Sequence, residues 1–190
     1  MAIQKKTAVW GDGMGYIFEE AEGAARRIGN RNPYDLLESI GARVKFSNYY
    51  EPNGLMGYST IVHRQKFAVI NAHLNEHDRR IVAGHEAAHL ILHIDDILKS
   101  PVKALRDFNL YSNNGKLEHQ ANTFLADFLV SDDEVMYSFS CDHDYFDTAR
   151  ELNLPPPLLA FKLYSMMQRG HKVQNPMGLQ SGFLGKANKW

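Results

Sequence analysis

Two histidines and a glutamate in the stretch His85-Glu86-Ala87-Ala88-His89 have the types and spacing of a metal site with a catalytic base. On a helix, residues four positions apart lie on one face, so the imidazoles of His85 and His89 can point at a single ion. This arrangement is typical of zinc, and a glutamate beside the first histidine can take a proton from a water that the ion activates. The motif therefore predicts one Zn²⁺ per chain, bound by both histidines, with Glu86 as the base.

A zinc site of this kind needs a third protein ligand, and the residues just after the motif do not supply it. The metzincin pattern would require a glycine and a histidine where this chain has Leu92 and Asp95, so that class is excluded. His93 lies about 6 Å further along the helix axis than His89, and three histidines at successive fourth positions do not converge on one ion. We therefore interpret His93 as a structural or supporting residue.

A later helix offers the best third ligand. Glu118 lies in its first turn, and Asn122 follows four residues later on the same face. In such a pair, the glutamate can bind the ion while the asparagine hydrogen-bonds to a histidine ligand and fixes its tautomer. His119 points about 100° away around the helix and is a weaker candidate. The same spacing also fits a solvated helix face, so the pattern alone leaves both interpretations open.

The helices that must position these residues can be predicted from apolar periodicity and end signals. Asn75 is a good N-cap for the motif helix, and Ser131 with Glu134 has the pattern of a capping box. The predicted helices cover about residues 16–28, 33–40, 76–93 and 116–130, a segment that begins after Ser131, and 158–168.

Alternating residues predict a small sheet before the motif helix. A strand is expected at 43–46, and a hairpin at 56–63 and 66–71 around Arg64-Gln65. This hairpin could offer an edge strand to an extended peptide. Residues 95–115 are expected to form a polar loop or a short irregular helix.

The composition of the chain excludes several classes of protein. A net charge of −1 and a pI near 6.8 give no general attraction to an anionic membrane. The lack of clustered basic residues also argues against direct binding to nucleic acid. Cys141 is the one cysteine and cannot form a disulfide within the chain, which fits a reducing compartment. With no apolar stretch typical of a signal peptide or a membrane span, we expect a cytoplasmic protein.

Two blocks of this sequence resemble the ImmA/IrrE family of metallopeptidases. The first block comprises Phe67–Asn71, Asp78–Arg80 and Gly84–His93. The second block, Glu118–Ala126, matches the family pattern Glu-x-x-Ala-Asn-x-Phe-x-Ala. One departure follows it, because Phe128-Leu129-Val130-Ser131 replaces the usual Leu-Leu-Met-Pro.

The resemblance implies an α+β fold, in which a mostly helical, zincin-like metallopeptidase domain carries an antiparallel sheet of about three strands packed on the motif helix. It also implies a gluzincin-like site, with His85, His89 and Glu118 on zinc and Glu86 as the general base. The chain would then consist of a flexible lead-in (1–15), the metallopeptidase domain (16–170, with 131–170 as its C-terminal helical part) and a mobile tail (171–190).

The resemblance further implies a function and a partner. A zinc endopeptidase of this family would cut a regulatory protein, a helix-turn-helix repressor of phage or mobile-element genes, and so act as an anti-repressor. The alternative is a metal-binding transcriptional regulator that binds a partner protein without cutting it. Glu86 favours the enzyme, because a site that only binds needs no base. The possible oxyanion donors, which the sequence does not rank, are His63, His73, His143 and Tyr111.

Overall fold

A computed structural model describes residues 13–100, 104–107 and 115–174. The predicted lead-in and tail therefore fall partly outside the described residues. The helices in these ranges are α1 (Gly13–Ile28), α2 (Pro33–Ser39), α3 (Glu76–Leu92), α4 (Ile94–Lys99), α5 (Lys116–Leu129), α6 (Asp132–Ser140), α7 (Tyr145–Glu151) and α8 (Pro156–Gln168), and the strands are β1 (Ala42–Ser47), β2 (Gly57–Val62), β3 (Gln65–Asn71) and β4 (Ala104–Asp107). The predicted α+β class is confirmed.

Side-chain hydrogen bonds cap the start of several helices, among them α3 and α6. The side-chain oxygen of Asn75 accepts a hydrogen bond from the backbone N–H of Asp78 at the start of α3. Ser131 and Glu134 form the predicted capping box of α6, in which each side chain accepts from the other residue's backbone N–H. These bonds satisfy amide groups that the first helical turn leaves without a partner.

The sheet differs from the prediction in its size and in the direction of one pair. Its order is β1–β3–β2–β4, with β1 parallel to β3 and the other two pairs antiparallel. The predicted antiparallel sheet of about three strands is therefore wrong, because the sheet is mixed and has a fourth strand. β4 arises in a segment expected to be a loop or a short helix, because its sequence, Ala-Leu-Arg-Asp, does not alternate between apolar and polar residues. The parallel pair exists because β1 lies beside β3 rather than beside β2, the next strand in the chain.

β2 and β3 form the predicted hairpin, but the turn lies at His63-Arg64 rather than at Arg64-Gln65. Both turn residues have a positive φ, 48° and 65°, as a tight turn between twisted antiparallel strands requires. The hairpin was also expected to offer an edge, and it does not. Its two strands are central, and in the described part of the chain the sheet ends at β1 and β4.

The motif helix α3 lies in the middle of the core. Residues 81–90 are all buried, and α3 packs against α2, α5, β2 and β3. Gly84 allows α5 to come close, because a Cβ there would collide with the side chain of Leu125. This packing sets the position of α5 relative to the motif. No helix among the described residues is both long and apolar enough to cross a membrane.

Candidate metal centre

Helices α3 and α5 bring together three side chains that could hold a metal ion. His85 Nε2 lies 3.0 Å from His89 Nε2 and 3.2 Å from Oε2 of Glu118. His89 Nε2 lies 3.5 Å from Oε1 of the same carboxylate. Both histidines are fully buried, whereas the Glu118 side chain is 19% exposed. We call these three residues the triad.

The separations within the triad fit a four-coordinate zinc ion. Bonds of about 2.0–2.1 Å at tetrahedral angles place neighbouring ligand atoms about 3.3 Å apart. The three observed contacts, from 3.0 to 3.5 Å, lie near that value, and each oxygen of the Glu118 carboxylate faces one of the two histidines. Two imidazoles and one carboxylate are also a ligand set typical of catalytic zinc, which keeps a fourth position for water.

Asn122 contacts the far side of the His85 ring. Its Oδ1 lies 3.1 Å from His85 Nδ1, and both residues are fully buried. For Nε2 of His85 to offer a lone pair to an ion, Nδ1 must carry the ring proton and donate it to this amide oxygen. Asn122 therefore lies in a protein contact and not on a solvated helix face.

The far side of the His89 ring meets His93. The two Nδ1 atoms lie 2.9 Å apart, and His93 Nε2 lies 3.1 Å from Oε1 of Gln120. Burial, followed by the nearby His89, lowers the pKa of His93 to about 4, so its ring is neutral at physiological pH. Nothing in the sequence points to Gln120, because its partner belongs to a different element of the fold.

Glu86 lies next to His85 on α3 and is fully buried. Strand β2 approaches this carboxylate at Gly57, where a Cβ would lie 2.9 Å from Glu86 Oε1 and 2.5 Å from Val82 Cγ1. A larger residue at position 57 would therefore force the side chain of Val82 or Glu86 to shift. The sequence did hold a signal for this contact, since a glycine inside a strand often marks the close approach of another element.

His119, the weaker candidate for the third ligand, packs elsewhere. Its ring centroid lies 5.4 Å from that of Phe161 and 5.5 Å from that of Tyr164. The His119 ring therefore faces α8, and burial lowers its pKa. This position fits a core histidine better than a metal ligand.

The oxyanion candidates do not form one group. His63 is exposed in the β2–β3 turn, and His73 is exposed just after β3. His143 lies between α6 and α7, where its Nδ1 is 2.9 Å from a carboxylate oxygen of Glu151. Tyr111 lies outside the described residues.

Comparisons with known proteins agree with this geometry. Residues 38–164 match the family Peptidase_M78, described as the IrrE N-terminal-like domain, and the matched region contains the whole triad. The chain is also 31% identical over 123 residues to "Uncharacterized immunity region protein 2" of Bacillus phage phi105. That match covers 55% of this chain and 75% of the phage protein.

Proposed function

Because the chain belongs to the Peptidase_M78 family of IrrE N-terminal-like domains, we propose that it is a zinc-dependent endopeptidase. The observation that carries the proposal is the triad with a buried carboxylate, Glu86, next to its first histidine. A protein that only held a metal ion would need the ligands but not this neighbouring base.

The residues of the site would divide the reaction between them. His85, His89 and Glu118 would hold zinc, which when bound acts as a Lewis acid and lowers the pKa of an attacking water to about 7. Glu86 would accept a proton from that water and then donate it to the leaving amine. Asn122 would keep the ring of His85 in the tautomer that binds the ion.

The substrate we propose is a regulatory protein, a helix-turn-helix repressor of phage or mobile-element genes. Two findings support this substrate: the family to which the chain belongs, and a relative whose name refers to a phage immunity region. The protein would then relieve repression by cutting the repressor. Because this role needs no contact with DNA, it also agrees with the near-neutral charge of the chain.

We place the substrate peptide along β4 and not along the hairpin. Extended peptides add to the edge of a sheet through main-chain hydrogen bonds, and β4 is at an edge in the described part of the sheet. Gly57 of β2 pairs with Asp107 of β4 and also adjoins Glu86. A peptide on the outer edge of β4 would therefore be separated by β4 alone from β2, the strand that adjoins Glu86.

The test compares wild-type protein with Glu86→Gln, which keeps the size of the side chain but removes its basicity. We expect one zinc per chain in both proteins by elemental analysis. We expect cleavage of a repressor encoded beside the gene only by the wild type, because loss of a general base costs about 10²–10⁴-fold in rate. The matched control is Glu19→Gln on the exposed face of α1, which should cut normally.

Two outcomes would contradict the proposal. Wild-type protein that contains zinc, binds the repressor and leaves it intact would be the non-proteolytic regulator. A Glu86→Gln protein that cuts at the wild-type rate would exclude Glu86 as the base.

A further inference from the structure

We propose that His93 and Gln120 are positioning residues, which fix the tautomer and the orientation of the His89 ring. This inference rests on the proposed function, because it takes His89 to be a zinc ligand. His89 Nδ1 lies 2.9 Å from His93 Nδ1, and His93 Nε2 lies 3.1 Å from Gln120 Oε1. We call these two contacts the hydrogen-bond series.

The direction of donation in the hydrogen-bond series follows from the way His89 would bind the metal. To bind zinc through Nε2, a neutral His89 must carry its proton on Nδ1. That N–H then donates to Nδ1 of His93, so the proton of His93 must be on Nε2. This second N–H donates in turn to the amide oxygen of Gln120. The amide oxygen of Gln120, the last acceptor of the hydrogen-bond series, therefore determines which His89 nitrogen offers its lone pair to the ion.

Reversal of the donors and acceptors in the hydrogen-bond series would remove the lone pair of His89 Nε2 that zinc needs. If a donor replaced the oxygen of Gln120, Nε2 of His93 would have to accept and its proton would move to Nδ1. Nδ1 of His89 would then have to accept as well, which would put the His89 proton on Nε2, the atom that faces the triad. Partners of this kind orient metal ligands in many proteins, and their loss typically costs 10–100-fold in metal affinity.

Because the hydrogen-bond series is buried, water cannot easily take the place of its partners. His89 is fully buried and His93 is 3% exposed, so the contact between the two rings is closed to solvent. Gln120 is half-buried and belongs to the same helix as Glu118. The hydrogen-bond series therefore connects the ring of His89, one proposed ligand, to α5, the helix that carries Glu118.

The experiment measures Zn²⁺ affinity by competition with a coloured chelator and the absorption spectrum of bound Co²⁺. Gln120→Leu, which removes the acceptor, should bind Zn²⁺ about 10–100-fold more weakly and should change the Co²⁺ spectrum. Gln120→Glu keeps an acceptor at this place and should bind Zn²⁺ as tightly as the wild type. The matched control is Gln168→Leu at the exposed end of α8, which should leave both measurements unchanged.

The result that overturns the inference alone is wild-type Zn²⁺ affinity and an unchanged Co²⁺ spectrum in Gln120→Leu. If that variant does not fold, His93→Leu removes the other contact of the hydrogen-bond series and should show the same loss of Zn²⁺ affinity. A wild-type protein that binds no Zn²⁺ would overturn the proposed function and this inference with it. A lower melting temperature of metal-free Gln120→Leu, with the spectrum unchanged, would mean that Gln120 only stabilises the fold.

Discussion

Helix α5 carries a buried polar cluster near each end, and the clusters differ in what faces their carboxylates. Near the first turn, the carboxylate of Glu118 faces the two histidines of the triad at 3.2 and 3.5 Å. Near the last turn, Asp127 lies 3.0 Å from the ammonium group of Lys162, which also lies 2.7 Å from Asp132 at the start of α6. We call the first cluster the metal end. The second, which consists of Asp127, Asp132, Lys162 and Arg169, is the ionic end.

The ionic end contains its own cations. Arg169 donates two hydrogen bonds to Asp132, at 2.5 and 2.9 Å, and Ser165 donates one to Asp127 at 2.6 Å. Burial opposes the charged form of Asp132, but hydrogen bonds from Arg169 and Lys162 outweigh it and hold its pKa well below the usual range. Burial raises the pKa of Asp127 in spite of the attraction of Lys162.

The comparison shows why a buried cluster of charged residues does not by itself indicate a functional site. At the ionic end, lysine and arginine already use the carboxylate oxygens, and the cluster joins α5, α6 and α8 as a structural element. At the metal end, two ring nitrogens and a carboxylate converge at separations that suit an ion. Changes at the two ends should therefore have separate effects on metal affinity and on stability.

Removal of the proposed zinc ion should affect only the metal end. A ligand present at about 1,000 times its Kd stabilises the folded state by about 4 kcal/mol, so a chelator should lower the free energy of unfolding by about that amount. Denaturant unfolding with and without chelator measures the effect. His89→Ala should lose the response to zinc, whereas Lys162→Met should keep it. A full response in His89→Ala would show that the stabilising ion binds elsewhere.

Loss of the buried cation should affect only the ionic end. Lys162→Met leaves Asp127 buried without its lysine, and removal of one partner of a buried pair costs about 3–5 kcal/mol. The free energy of unfolding should fall by this amount while Zn²⁺ affinity stays unchanged. The double variant Asp127→Asn with Lys162→Met should recover part of the loss. A loss below about 1 kcal/mol in the single variant would place this pair with weak surface ion pairs.

A methyl group at Gly57 should disturb Glu86, the proposed base at the metal end. Gly57→Ala forces Val82 or Glu86 to move, because the new Cβ would lie 2.5 and 2.9 Å from their side-chain atoms, and overpacking costs about 1–3 kcal/mol. Peptidase activity should fall more than Zn²⁺ affinity. Gly23→Ala on α1 is the control, since nothing lies within 4 Å of a Cβ there. Unchanged activity in Gly57→Ala would mean that Glu86 tolerates displacement.

The smallest effect is a dependence on pH at the ionic end. The pKa of Asp132 is lower in the folded state than its ordinary value of 3.8. Its contribution to stability is therefore complete above pH 3.8 and is lost as the pH falls below that value. The stability difference between wild type and Asp132→Asn should shrink by about 1 kcal/mol between pH 7 and pH 3. A difference that stays constant with pH would contradict the lowered pKa.

Most of the helices and three of the four strands in the described residues could be predicted from the sequence, because their signals lie within a few residues of each other. Asn75 caps α3 and the capping box of Ser131 begins α6, as expected. β4 and the parallel pairing of β1 with β3 could not be predicted, since both depend on which distant strand provides the neighbouring edge. The closeness of β2 to Glu86 was likewise visible only as an unexplained glycine.

The sequence by itself determined that His85, Glu86 and His89 share one helix with both histidines on one face, because the helical repeat is a local property. It also supplied Glu118 and Asn122 as one face of another helix. Only the tertiary structure decided that these faces meet. Their meeting depends on how closely α5 packs on α3 at Gly84 and Leu125, and that long-range packing also brought Gln120 to His93.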